Sequence, residues 1–338
     1  MYDGDAFAPG ARVKILVVGA GAVGGYFGAR LLEAARQVTF LVRARRAAQL
    51  QRAGLMVRTP EGDLHFDSPP TVDTAHLQAS YDLILLSCKA YDLESCIADF
   101  SPGMHERTLV LPLLNGMSHM DVLDGKFGSQ RVLGGLARIS STLDAEGRIH
   151  QWGEFRTVVF GAREANDPAR VAQVATALNV PGFTALASGS IVRDMWEKWV
   201  FIAAAAALTS VMRGTIGDIM TAGARDIAVR LVKECAAIAA ENGYEPGQQS
   251  LDFALSLLTA AGSPFTASMF RDIENRARIE AQHIVGDLLL RSKAANPLLN
   301  VAHAHLKTYE ARREREARGV PAEAGLPGVT HPGSHQAG

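Results

Sequence analysis

The chain has 338 residues but only three cysteines, no excess of either charge and no long apolar run. Cys88, Cys96 and Cys235 are odd in number and lack the close spacing of metal ligands. That argues against a disulfide framework and a structural zinc site, and for a reducing compartment. His303 and His305 lie two apart, on different faces of any helix, so they do not form a metal pair either. With 34 basic and 35 acidic side chains the formal charge is -1, which leaves no basic footprint for nucleic acid. The longest strongly apolar stretch, Trp199 to Met212, has 14 residues, short of the roughly 18 expected of a membrane span. The first ten residues contain two Asp and no run resembling a signal peptide. The expectation is a soluble, cytoplasmic protein without a membrane or nucleic-acid partner.

What is present is enough for two cores. Apolar residues make up 48%, near the globular average, and a chain of this length exceeds one typical domain. Val13 to Val18 is a short apolar run ending in glycine, a helix is expected over about 22–35, and a second apolar run covers Val38 to Val42. This β-α-β pattern specifies neighbouring parallel strands. Further strands are expected at Leu55–Arg58, Leu64–Phe66, Leu83–Ser87, Leu109–Leu113 and Val132–Ile139. After Ser188 the texture becomes long Ala- and Leu-rich helical stretches, roughly 190–211, 222–241, 265–291 and 297–315, punctuated at Gly243–Gly247 and Gly262–Pro264. The fold class is therefore α/β: a doubly wound Rossmann sheet over 12–187 and an all-helical domain over 188–318. Residues 1–11 and 319–338 are expected to be flexible tails, since the segment after Gly319 is rich in Gly, Pro and His with little to bury. No solenoid-length repeat is present.

Gly19-Ala20-Gly21-Ala22-Val23-Gly24 is a GxGxxG placed directly after an expected strand and opening an expected helix. In that context Gly19 allows the tight turn, Gly21 lets a pyrophosphate approach the backbone, and Gly24 lets helix and strand pack closely. The phosphates would sit at the positive end of the helix. A glycine turn without a ligand is the competing reading. At the end of the second strand, where an acidic residue would accept ribose hydroxyls, stands Val42-Arg43-Ala44-Arg45-Arg46. Guanidinium groups there suit a 2′-phosphate, so NADP(H) is favoured, with Arg43 first and Arg45 or Arg46 as helpers. A solvated arginine cluster opening a helix is the plain alternative.

Polar residues interrupt two apolar patterns. Ile191, Met195, Lys198, Ile202 and Ala205 share one helical face, and Lys198 breaks the stripe. A partly desolvated lysine loses basicity and becomes a usable proton donor, whereas a snorkelling lysine would only cover apolar surface. In the later helix Ile273, Ala277, Glu280, Ile284 and Asp287 share a face, making Glu280 a candidate partner for that ammonium or a surface partner of Arg276. Lys89 in Ser87-Cys-Lys-Ala-Tyr91 and Asn115 in Leu113-Leu-Asn-Gly-Met117 follow strands at their carboxyl ends, where ligands of open α/β sheets collect.

Taken together, Gly19 to Gly24, Lys89 before alanine, Leu114-Asn115-Gly116, Trp196-Glu-Lys198 and Ser268-Met-x-x-Asp-Ile leading to Glu280 resemble the ketopantoate reductase family over nearly the whole folded chain, in order. The resemblance implies a Rossmann domain joined to a helical domain like that of 6-phosphogluconate dehydrogenase, with NADPH and a small 2-oxoacid in the cleft between. It implies reduction of ketopantoate to pantoate for pantothenate synthesis, with Lys198 as general acid. Glu280 would orient Lys198 or the substrate hydroxyl, Asn115 would lie beside nicotinamide and substrate, Ser268 at the substrate carboxylate, and Lys89 near the nicotinamide ribose. No metal is required, and a homodimer through the helical domain is possible. One departure stands out: where well-studied members carry Asn one and two turns after the acidic lysine, this chain has Ile202 and Ala206. A reductase of a more apolar 2-oxoacid is therefore a second reading, and a non-catalytic NADP(H)-binding sensor a third.

Overall fold

In the computed structural model, residues 13–163 and 166–319 are described; the expected tails lie, Gly319 apart, outside them. The strands are β1 Lys14–Val18, β2 Gln37–Leu41, β3 Leu55–Arg58, β4 Leu64–Phe66, β5 Thr71–Val72, β6 Tyr81–Leu86, β7 Met104–Pro112, β8 Gly134–Leu143, β9 Ile149–Gly161 and β10 Thr184–Ala187. Between them run helices α1 Ala22–Glu33, α2 Ala44–Ala53, α3 Leu93–Phe100, α4 Ser118–Phe127 and α5 Pro168–Leu178. After β10 come only helices: α6 Ile191–Met212, α7 Ile216–Thr221, α8 Arg225–Glu241, α9 Gln248–Leu258, α10 Ser268–Glu274, α11 Asp287–Leu290 and α12 Pro297–Ala317. A π-helical turn over Gln282–Gly286 leads directly into α11.

The first sheet has the order β5-β2-β1-β6-β7 and is parallel throughout, with Val17 of the central strand opposite Phe40 on one side and Leu85 on the other. Strand alternation divides β1 between two cores: Ile15 and Val17 enter one apolar cluster, Leu16 and Val18 the other. Burial on both faces explains the unbroken Ile-Leu-Val-Val run. A second sheet contains β10, β9, β3 and β4, with β8 paired antiparallel to β9. It joins the first where Leu133 N donates to the carbonyl of Val110 at 2.9 Å. The sequence reading overlooked β9, β10 and the two-residue β5. The centre of β9, from Trp152 to Phe155, is exposed and breaks the apolar pattern on which that reading depended.

The helical domain is built around α6, whose Trp196, Trp199, Val200 and Ala203–Leu208 are buried among α7, α8, α10 and α12. Among the described residues α6 is long and apolar enough, by composition alone, to cross a membrane; its mostly buried position in the helical core accounts for that composition. The Trp199 indole N–H donates to the carbonyl of Ile284 at 2.9 Å, tying α6 to the π-helical turn.

The expected single helix over 265–291 is not formed. It stops at Glu274, and Arg276 takes the left-handed conformation at φ 54°. Ala277 N then bonds Asp272 O at 2.8 Å and Arg276 N bonds Ile273 O at 3.0 Å, a Schellman termination built without glycine. The break is held from α12, where Tyr309 Oη donates to Ala277 O and Arg313 Nε to Arg276 O. Glu280 therefore sits on a non-helical segment, not on a face shared with Ile273 and Asp287, and the expected Arg276–Glu280 pair along a helix does not arise.

Trp199 is fully buried and its N–H is satisfied, so Trp199→Ala should lower the unfolding free energy by about 3–5 kcal/mol. Urea denaturation followed by far-UV circular dichroism checks this; an unchanged midpoint would contradict the central role of α6.

Candidate active site

The candidate residues of the first domain all follow the carboxyl ends of adjacent parallel strands: Gly19–Gly24 after β1, Arg43 after β2, Lys89 after β6 and Asn115 after β7. Neighbouring strands in one register bring these loops to a single edge. In the glycine loop, Gly19 adopts φ 93°, a conformation that disfavours side chains. A Cβ at Gly24 would fall 2.1 Å from Ser87 Oγ and 2.4 Å from Gly19 O, so close packing of α1 on the sheet requires glycine. Beside Gly21 the space is open. Such open backbone at a helix N-terminus, where the first N–H groups have no intrahelical partner, is suited to a dinucleotide pyrophosphate. Ala20 is buried, while Ala22 and Val23 are half-buried.

The three arginines after β2 differ in availability. Arg43 is exposed and steadied by Ser95 Oγ at 2.6 Å and Asp99 at 3.3 Å, both on α3. Arg45 is exposed. Arg46 bonds the carbonyls of Ala20 at 2.9 Å and Gly147 at 2.8 Å. It braces the glycine loop, which removes it as a phosphate helper.

Lys198 projects from α6 to the opposite side of this edge, where its ammonium donates to Asn115 Oδ1 at 2.9 Å. Burial lowers its pKa to about 8, helped by the positive charge of Arg138 and opposed by Glu280. An ammonium in this range is charged at neutral pH and releases its proton readily. The amide N–H groups of Asn115 have no acceptor among the described residues.

Glu280 takes a different partner from the one expected. Its carboxylate accepts from Lys89 Nζ at 3.2 Å and from the Ala90 backbone N–H at 3.0 Å, and Lys89 also donates to Asp272 at 3.0 Å. Glu280 influences Lys198 only through space. Burial of Lys89 works against its charge, but Glu280 and Asp272 more than offset this and push its pKa up. Lys89 is thus a fixed cation that ties the loop after β6 to both sides of the α10 break. Asp272 escaped the sequence reading, although it stands one turn after Ser268 in the Ser-Met-x-x-Asp-Ile motif. Ser268 itself is exposed at the start of α10, and its side chain makes no hydrogen bond among the described residues. Arg138 was missed as well; its signal is a charge on the strand face that begins Gly134, Leu136.

Beneath Asn115 lies a buried polar relay. Ser118 Oγ gives its hydrogen to Asp287 at 2.5 Å, so His283 Nδ1, 2.8 Å from the same oxygen, must be the donor there. His283 Nε2 is then left to accept from His119 Nδ1 at 3.4 Å. Burial lowers the pKa of both rings and keeps them neutral. The turn carrying Asn115 rests on this relay: a Cβ at Gly116, φ 76°, would come within 2.7 Å of His283 O. A cavity of about 450 Å³ opens beside it, walled by Tyr91, Arg278, Glu280, His283 and Tyr309; Lys198 and Asn115 do not line it.

A Rossmann sheet whose glycine loop faces Lys198 of a helical domain is the arrangement of an oxidoreductase acting on CH–OH groups, and the comparisons with known proteins agree. The family model described as Ketopantoate reductase PanE/ApbA matches residues 15–165, and that described as Ketopantoate reductase PanE/ApbA C terminal matches 190–310. The chain belongs to the ketopantoate reductase family. It is 34% identical over 305 residues to a Bacillus subtilis protein described as uncharacterized oxidoreductase YkpB, covering 89% of this chain and 100% of that one. The 2-dehydropantoate 2-reductase of Halobacterium salinarum is 27% identical over 285 residues, covering 83% and 92%. Among solved structures, 2-dehydropantoate 2-reductase from Methylococcus capsulatus superposes with a TM-score of 0.76 at 25% identity, covering 89% and 98%. A D-mandelate dehydrogenase bound to NADH and anilino(oxo)acetate superposes with a TM-score of 0.81 at 22% identity, covering 89% and 100%.

Because Glu280 raises the pKa of Lys198 through space, Glu280→Gln should move its titration below about 8. Heteronuclear NMR of the lysine side chain follows this directly; an unchanged or raised pKa would contradict the electrostatic arrangement.

Proposed function

We propose that the protein reduces a 2-oxoacid to the 2-hydroxyacid with NADPH in the cleft between domains 12–187 and 188–318, with 2-dehydropantoate as the leading substrate and pantoate its product. The observation that carries this reading is Lys198, an ammonium with pKa about 8 that is hydrogen-bonded to Asn115 at the nucleotide edge. The dinucleotide would be held by Gly19, Ala20, Gly21, Ala22, Val23 and Gly24 at its pyrophosphate, by Arg43 at its 2′-phosphate, and by Lys89 and Asn115 near its nicotinamide end. When bound it supplies the hydride. As the carbonyl carbon accepts that hydride, charge gathers on the carbonyl oxygen; the Lys198 ammonium stabilises it and gives up one proton there, leaving a hydroxyl. The neutral amine regains its proton from water. Glu280 acts as a positioning residue through Lys89 and the loop after β6, and Ser268 is a further substrate contact.

A second reading, a more apolar 2-oxoacid, is favoured by α6 beyond Lys198. Ile202 is half-buried and Ala206 fully buried, and neither offers a hydrogen bond to a substrate hydroxyl. Nearby, Phe201 packs against Phe253 and Phe265 at 5.8 and 6.0 Å between ring centroids. A site without partners for a hydroxyl gains little from one on the substrate.

NADPH oxidation by the purified protein with 2-dehydropantoate and with apolar 2-oxoacids tests both readings. Lys198→Ala should lower kcat by about 10²–10⁴-fold while NADPH still binds. Arg43→Ala should raise KM for NADPH by about tenfold or more with little effect on NADH. No turnover of any 2-oxoacid, or full activity in Lys198→Ala, would overturn the reading and favour a cofactor sensor.

A further inference from the structure

Strand β8 passes along α6 in the same direction. Gly134 is packed so tightly that a Cβ there would lie 2.6 Å from Ile191 Cγ2, whereas the next residue, Gly135, faces Leu111 on the other side. Leu136, again on the Gly134 face, is buried in one cluster with Ile191 and Met195. A strand advances about 3.3 Å per residue and a helix about 1.5 Å. Starting from the Gly134–Ile191 contact, Arg138 lies about 13 Å along the strand and Lys198 about 10 Å along the helix. The two cations therefore arrive side by side, and Arg138 is the positive charge that acts on Lys198.

Most other cations at this cleft have partners. Lys89 is closed by Asp272 and Glu280, Arg43 by Ser95 and Asp99, and Arg271 by the carbonyl of Thr266 beneath the Trp152 ring. The neighbour of Arg138 on the opposite face, Ile139, pairs with Arg156, whose charge is met by Glu61. Arg138 is exposed and, among the described residues, makes no hydrogen bond or ion pair. Two like charges close enough to act on each other, one of them without a hydrogen-bond or ion-pair partner among the described residues, leave a place for an anion. A 2-oxoacid presents a carboxylate and a carbonyl oxygen on adjacent carbons, matching a guanidinium fork beside an ammonium.

We propose that Arg138 binds the substrate carboxylate, setting the specificity for 2-oxoacids while Lys198 takes the adjacent carbonyl oxygen. This rests on the reductase reading above. Ser268, nominated for the carboxylate by resemblance, carries no charge, so the discrimination between acid and neutral ketone falls to Arg138.

The test compares kcat/KM for phenylglyoxylate with that for its methyl ester, and for 2-dehydropantoate, in the parent, Arg138→Gln and Arg138→Lys, with NADPH affinity measured by fluorescence. In Arg138→Gln, kcat/KM for both acids should fall by about a hundredfold, mostly through KM. The ester should change less than threefold, NADPH affinity should be retained, and Arg138→Lys should recover part of the loss. Retention of the acid-over-ester preference in Arg138→Gln would overturn the assignment, as would equal losses for acid and ester or a loss confined to NADPH binding. A parent that reduces no 2-oxoacid would instead overturn the reductase reading itself, so the two failures are distinct.

Discussion

One hydrogen bond, from the ammonium of Lys198 to Asn115 Oδ1, sets the terms for the rest of the cleft. The donor belongs to the central helix of one domain and the acceptor to the loop after a parallel strand of the other. A charged group in that position is disfavoured by burial and by Arg138, and only partly relieved by Glu280. The balance keeps an ammonium charged yet weakly acidic where a carbonyl oxygen could take its proton.

The surrounding architecture keeps that bond in place. Trp199, adjacent to Lys198, is fixed by Ile284, and the turn holding Asn115 lies on His283, so donor and acceptor are referred to the same π-helical segment. A second bridge, Lys89 with Asp272 and Glu280, spans the break after α10. The second bridge depends on that break, because an uninterrupted helix over 265–291 would carry Glu280 away from Ala90 N. The left-handed Arg276 is thus a small backbone irregularity with a large effect on the site.

Local patterns revealed the Rossmann half and the long helices because each depends on short-range regularity. The β1–glycine–α1 unit, the buried parallel strands, and α6 and α12 follow directly from hydrophobic period and glycine placement. The break at Arg276 was not legible: Ala-Arg-Ile-Glu continues a helical pattern without glycine or proline, and the termination is held by Tyr309 and Arg313 far along the chain. For the same reason the partner of Glu280 could not be read from spacing. Lys198 stood out as a charge in an apolar stripe, but its bond to Asn115 spans 83 residues and required the fold. Arg46, grouped with Arg43 by sequence, is separated from it only by the backbone carbonyls it meets.

A crystal structure of the ternary complex with NADP⁺ and a 2-hydroxyacid tests the account most directly. The hydroxyl oxygen should lie within hydrogen-bond distance of Lys198 Nζ, with Asn115 alongside and the nicotinamide on the glycine-loop side. A 2-hydroxyacid bound instead in the cavity between Tyr91, Arg278 and Tyr309, with Lys198 still bonded only to Asn115, would contradict it.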